Sequence, residues 1–174
     1  LFAGRLNKVK NVDVLIRAVA RLDEVVLSIV GDGPEKENLV SLINTLGITD
    51  RVNFMGIKNH AGLVEIYQKN DVFVLLSSGE GGSNTVLEAM ACGLALIVTN
   101  TGGAGSLVRG NGFIIEDITS KLLEEKLVYL VKHKDEIVKM GRESRKVAEN
   151  LSWKNTANEY TKVYNEIMNQ VIKS

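Results

Sequence analysis

Short apolar runs alternate with longer amphipathic stretches over most of this chain. The runs fall at residues 1–4, 25–30, 52–55, 72–76, 94–98 and 112–115. Each is bounded by glycine or polar residues and is mostly apolar on both faces, the pattern of parallel strands covered on both sides. Between them, Val12, Leu15, Ile16, Val19 and Leu22 form one stripe at helical spacing and predict a helix over 12–22. Pro34 precedes a second helix, 35–46, and Gly47 is placed to end it. A third helix is predicted over 61–69 with Leu63, Ile66 and Tyr67 inward, and a fourth over 84–92, closed by Gly93. After residue 117 the strands stop, and 120–133, 135–150 and 155–171 read as three helices. Strand–helix alternation with short loops points to an α/β fold, a Rossmann-like doubly wound parallel sheet with a helical C-terminal flank.

The length of 174 residues suits one domain with one sizeable core. The 21 Lys+Arg balance the 21 Asp+Glu, so bulk charge gives no argument for nucleic acid or membrane as a partner. The one cysteine, Cys92, sits in an apolar run and reads as a small core residue. His60 and His133 are too far apart in sequence to suggest a zinc pair. No apolar run reaches the roughly 18–20 residues of a membrane span, and no basic leader precedes an apolar stretch. A cytoplasmic location is therefore the default expectation. The chain opens in what reads as a core strand, which suggests a piece cut at a domain boundary.

Open parallel sheets bind ligands at the carboxyl ends of their strands, and three segments are predicted to converge there. The first follows the run at 72–76 and contains Glu80-Gly81-Gly82-Ser83-Asn84-Thr85-Val86-Leu87-Glu88. A strand runs into a glycine-rich turn and a helix begins, so free N–H groups and the helix dipole favour an anion. Gly81 and Gly82 let a phosphate approach the backbone. Glu80 and Glu88 frame that position, and carboxylates accept hydrogen bonds from sugar hydroxyls. Thr85-x-x-Glu88 also fits a helix capping box, and Glu80 also fits a solvated loop acid. The second segment, the loop Gly4-Arg5-Leu6-Asn7-Lys8-Val9-Lys10-Asn11, places two cations, Arg5 and Lys10, after the first strand. The third, Gly31-Asp32-Gly33-Pro34, lacks the third glycine of a dinucleotide fingerprint and reads as a structural turn.

Glu80 and Glu88 with seven residues between them, followed by Ala89-Met90-Ala91-Cys92-Gly93, resemble the donor-site motif of glycosyltransferase family four, which has the GT-B fold. Arg5 and Lys10 match the family's diphosphate-binding positions. Gly31-Asp32-Gly33-Pro34 resembles its Gly-x-Gly-Pro turn. Arg51 to Gly56 resemble the strand ending beside the nucleobase, where Ile57 would meet the base through its backbone. Leu151-Ser152-Trp153 and the helix after it resemble the family's closing segment, with Trp153 expected as a packing anchor.

The resemblance runs from residue 1 to about 168 but covers only the donor-binding half of a family member, so an N-terminal acceptor domain is expected ahead of Leu1. It implies a retaining hexosyl transfer from a UDP- or GDP-sugar to a glycan or lipid-linked acceptor, with no cofactor and no divalent metal. Glu80, Arg5 and Lys10 would be the catalytic residues. Arg5, Lys10, Ile57, Gly81, Gly82, Ser83, Asn84, Thr85 and Glu88 would bind the substrate. The isolated chain is expected to be inactive, membrane contact is expected only through the missing half, and polysaccharide assembly fits the family. The sequence departs from the pattern at Leu94-Ala95, where a proline is usual, and at Ser106, in the zone where many members carry a glutamate. A GT-B sugar-nucleotide epimerase, a non-catalytic nucleotide-sugar-binding module and a ligand-free interaction domain remain as alternatives.

Overall fold

The computed structural model describes residues 1–79 and 84–172. Among these residues six strands and seven α-helices follow in chain order: β1 (Phe2–Ala3), α1 (Val12–Val19), β2 (Leu27–Val30), α2 (Lys36–Leu46), β3 (Val52–Gly56), α3 (His60–Gln68), β4 (Val72–Leu75), α4 (Asn84–Ala91), β5 (Ala95–Thr99), β6 (Gly112–Ile115), α5 (Ser120–Lys132), α6 (Lys134–Asn150) and α7 (Trp153–Ile172). All strand pairs are parallel, in two ladders of order β1-β2-β3 and β4-β5-β6. Phe2 faces Ile29, Leu27 faces Val52, Val72 faces Ala95 and Leu96 faces Gly112.

Leu1 joins the two ladders. Its nitrogen donates to the Val72 carbonyl at 2.9 Å, and its carbonyl accepts the Val74 N–H at 2.9 Å. Across that seam the strands run β3-β2-β1-β4-β5-β6, the order of a doubly wound sheet whose switch point lies between β1 and β4. Every residue of β5 is buried, because it is covered on both faces and paired on both edges. The apolar stripe of α1 is buried at Val12, Leu15, Ile16 and Val19.

Local chemistry sets the helix ends. Asn59 caps α3 by accepting the Gly62 N–H at 2.9 Å, and Thr119 caps α5 through the Leu122 N–H at 3.3 Å. Gly47 ends α2 at φ 68°, a left-handed position that favours glycine. Helix α1 stops at Val19, short of the expected residue 22. Beyond it the Arg21 and Leu22 N–H groups bond three residues back, to Ala18 and Val19, and tighten the chain. The Arg51 guanidinium then takes the Leu22 carbonyl at 2.6 Å and the Val19 carbonyl at 3.2 Å.

One expectation is corrected outright. Trp153 is 88 % exposed and is no packing anchor among the described residues. Helix α7 lies outside the core that the other helices cover, and Tyr160, Val163, Tyr164, Ile167 and Met168 along it are exposed as well. Among the described residues no helix is long and apolar enough to cross a membrane.

Candidate functional site at the switch point

The loop after β1 is held against its neighbours by backbone contacts. The Gly4 N–H donates to the Val30 carbonyl at 3.0 Å, the Leu6 N–H to the Asp32 carbonyl at 2.9 Å, and the Glu35 N–H to the Leu6 carbonyl at 3.0 Å. The turn after β2 fits beneath this loop only because it lacks side chains there. A Cβ on Gly31 would stand 1.9 Å from the Gly4 carbonyl oxygen, and one on Gly33 would stand 2.3 Å from that of Leu6. The Gly-Asp-Gly-Pro turn is therefore the brace that shapes the Arg5 loop. Asp32 stiffens it by accepting the Gly33 N–H at 2.7 Å and the Lys36 ammonium at 2.7 Å, and those two donors hold its carboxyl below the usual range.

On its other side the loop is tied to the end of β4. Asn11 sits at φ 48°, a region that asparagine tolerates better than most residues. Its side-chain amide donates to the Leu76 carbonyl at 2.6 Å. The Ser78 N–H reaches the Val9 carbonyl at 2.9 Å. The end of β4 is in turn tied to the loop after β5, since the Ser77 carbonyl accepts both the Thr99 and Thr101 hydroxyls, at 2.7 and 2.8 Å. Three strand ends thus meet at the switch point.

Arg5 is exposed at the head of its loop, whereas Lys10 is only 7 % exposed. The Lys10 stem passes over Gly4, with Cε 3.9 Å from where a Cβ would stand on that glycine. Lysine is rarely this buried. Its position between the β1 and β4 ends marks it as more than a solvated surface charge.

Helix α4 begins at Asn84, which is exposed, and carries Glu88 one turn in. Thr85 already lies within the helix, so the Thr85–Glu88 pair is not a capping box at its start. Glu88 instead accepts the Tyr67 phenol at 3.1 Å. Asn84, Leu87 and Glu88 line one wall of a cleft of ≈ 630 Å³ whose other walls include Leu107, Leu151 and Trp153. Cys92, at the other end of α4, is half-buried against the core. Burial pushes its thiol up, Arg145 opposes that rise, and Glu88 adds to it.

Ile57 follows Gly56 at the end of β3 and is 79 % exposed. Two strand spacings, about 10 Å, separate β3 from β1, so Ile57 stands at the far rim from Lys10. Ser106 is spent locally, its hydroxyl donating to the Gly103 carbonyl at 2.7 Å. Four site candidates, Glu80, Gly81, Gly82 and Ser83, lie outside the described residues. Among the described residues no group of three or more His, Cys, Asp or Glu side chains could hold a metal ion. A second cavity of ≈ 410 Å³ opens at the other end of the sheet, lined by Leu1, Val25, Leu27 and Val72 near the strand starts. That is the end at which open parallel sheets do not place ligands.

Sequence reasoning missed the anchors. Tyr67 read as an inward apolar contact, and Asn11 as a loop residue. The signal for Tyr67 was a phenol on the buried stripe of α3, since a buried tyrosine hydroxyl needs a partner. Asn11 gave its signal by standing directly before a helix.

The strand order defines a Rossmann-like domain, and its likeness to known glycosyltransferases places it in the GT-B class. The chain belongs to the glycosyl transferases group 1 family, whose sequence profile matches residues 1–147. It is 31 % identical over 169 residues to a D-inositol 3-phosphate glycosyltransferase of Rhodococcus jostii, covering 90 % of this chain and 37 % of that protein. It is 30 % identical over 171 residues to the N-acetyl-α-D-glucosaminyl L-malate synthase of Bacillus anthracis, covering 95 % of this chain and 44 % of that protein. Among solved structures, Anabaena HepE in complex with UDP superposes with a TM-score of 0.79 at 26 % identity, over 86 % of this chain and 43 % of that one. The chain thus spans less than half the length of these three proteins.

Proposed function

We propose that this chain is the donor-binding half of a retaining glycosyltransferase that moves a hexosyl group from a nucleoside-diphosphate sugar to a glycan or lipid-linked acceptor. The observation that carries this reading is the buried Lys10 at the switch point, held between the ends of β1 and β4. The family membership and the UDP complex of the superposing HepE protein support it.

In this reading the donor diphosphate sits at the start of α4, near the N–H groups of Gly82, Ser83 and Asn84. Arg5 and Lys10 neutralise the charge that builds on it as the sugar departs, which lowers the barrier because that charge is greatest in the transition state. The two cations do the work that a divalent metal does in other transferases, so no metal or other cofactor is required. Glu80 orients the donor sugar through its hydroxyls. Glu88 holds the ribose, and the Ile57 backbone meets the base. The acceptor attacks on the face from which the diphosphate leaves, so the configuration of the sugar is kept.

The acceptor contacts belong to an N-terminal domain preceding Leu1, and any membrane contact is made there. Two observations support that domain: the share of the relatives' length that this chain spans, and the exposed apolar residues Trp153, Tyr160, Tyr164 and Ile167 on α7. Half a cleft binds donor without turning it over, so transfer needs both halves. The place of action is the cytoplasm, with polysaccharide assembly as the setting.

The test is mutational, in the protein with both halves. Glu88→Ala is expected to weaken nucleotide binding. Glu80→Ala is expected to cost turnover more than nucleotide affinity. Unchanged donor binding and turnover in both variants would refute the site. Epimerised donor appearing without any acceptor would replace transfer by epimerisation.

A further inference from the structure

The acid read here as the ribose ligand is not free to choose its own orientation. Glu88 is half-buried on α4, and its Oε2 lies 3.1 Å from the hydroxyl of Tyr67, which projects from the last turn of α3. That tyrosine is fully buried, at 0 % exposure. Its ring is fixed by the neighbouring strand, tilted 58° against Phe73 with the centroids 5.9 Å apart. The same hydroxyl lies 3.2 Å from the Thr85 carbonyl. A phenol has one proton to give. The Thr85 carbonyl faces the Ala89 N–H by the ordinary helical pattern, whereas the carboxylate offers a charge-assisted bond of roughly twice the strength. The proton therefore goes mainly to Glu88.

We infer that Tyr67 is a positioning residue for the nucleotide site: its hydroxyl pins one oxygen of Glu88 and so sets the plane in which the carboxylate meets the ribose hydroxyls. This rests on the reading of Glu88 as the ribose ligand. A flexible glutamate loses rotamer freedom whenever it grips a ligand, and a buried donor from the protein removes that loss in advance. The anchor also links two parts of the site. Helix α3 follows directly from the Ile57 loop, so the residue meant to meet the base and the acid meant to meet the ribose are joined through one rigid element. The phenol stays protonated throughout, since burial above all, and the Glu88 charge next, push its ionisation far above the neutral range.

The experiment compares the wild-type protein, Tyr67→Phe and Glu88→Gln by calorimetry. The probes are UDP and GDP, each beside its 2′,3′-dideoxy analogue, which lacks the ribose hydroxyls. For the base that binds, Tyr67→Phe is expected to weaken the ribonucleotide roughly tenfold, the scale of a hydrogen bond to a charged group, and to leave the dideoxy analogue unchanged. Equal weakening of both, with a lowered melting temperature, would make Tyr67 a packing residue only and overturn the inference. So would full ribonucleotide affinity in Tyr67→Phe when Glu88→Gln has lost it, which leaves the ribose reading standing. If Glu88→Gln itself keeps full affinity, or if neither wild-type nucleotide binds, the ribose reading falls and the inference falls with it.

Discussion

The side-chain amide of Asn11 lies 2.6 Å from the carbonyl oxygen of Leu76, sixty-five residues away. Together with the bond from the Ser78 N–H to the Val9 carbonyl, it fastens the loop that carries Lys10 to the end of β4, directly before the segment that leads into α4. Asn11 is also the sole non-glycine residue described with a positive φ. Asn11→Ala should therefore lose both the bond and the tolerance for that backbone, and destabilise the fold by about 2–3 kcal/mol. Asn11→Gly keeps the backbone freedom and should lose only about 1 kcal/mol. Urea denaturation of the two variants checks the order. Equal losses would mean that the left-handed backbone at this position costs alanine nothing.

Two glycines offer a contrast between clash and strain. Gly31 has φ 127° and no room, since its added Cβ would stand 1.9 Å from the Gly4 carbonyl. Gly47 has φ 68° and nothing within 4 Å. Gly47→Ala should cost about 1–2 kcal/mol for the left-handed backbone alone. Gly31→Ala must also push the β1 and β2 loops apart and should cost about 3 kcal/mol or more. Denaturant midpoints measure both, and similar losses would mean that the two loops can separate without penalty.

Alkali gives a third test. Burial raises the Tyr67 ionisation well above the value of 10.0 that an open phenol shows, with the Glu88 charge and hydrogen bond adding to it. Above about pH 10 the unfolded chain releases this proton while the folded chain keeps it, so the folded state binds more protons and stability falls as pH rises. Tyr67→Phe removes that contribution. Its stability between pH 10 and 11 should decline less steeply than that of the wild type, as measured by urea unfolding at each pH. Parallel declines would mean that the phenol ionises in the folded state.

The apolar runs carried the sheet into the sequence, since parallel strands covered on both faces, as β5 is throughout, leave nearly continuous hydrophobic stretches. The run at 112–115 matches β6 residue for residue, and the others differ by one or two residues at an end. Periodicity marks a face and not a stop, so the stripe runs on to Leu22, whereas α1 ends at Val19 and Arg51 takes the Val19 and Leu22 carbonyls from across the fold. Lys10 was legible as a cation after a strand, but its burial is a property of the loop's path, set by Asn11 and Ser78. Trp153 went wrong for a related reason. A large aromatic predicts burial somewhere, and the described residues leave this one 88 % exposed. The Thr85–Glu88 pair fitted a local motif, and a tertiary contact with Tyr67 displaced it.

The central claim is that a diphosphate binds at the start of α4 and is neutralised by Lys10. Calorimetry on the wild type and Lys10→Ala with UDP, GDP and the corresponding nucleosides tests it most directly. The wild type should bind one of the diphosphates well above its nucleoside, and Lys10→Ala should lose about ten- to a hundredfold for the diphosphate alone, the range of a charged hydrogen bond. Diphosphate affinity that survives Lys10→Ala unchanged, or a wild type that binds neither diphosphate, would contradict the account.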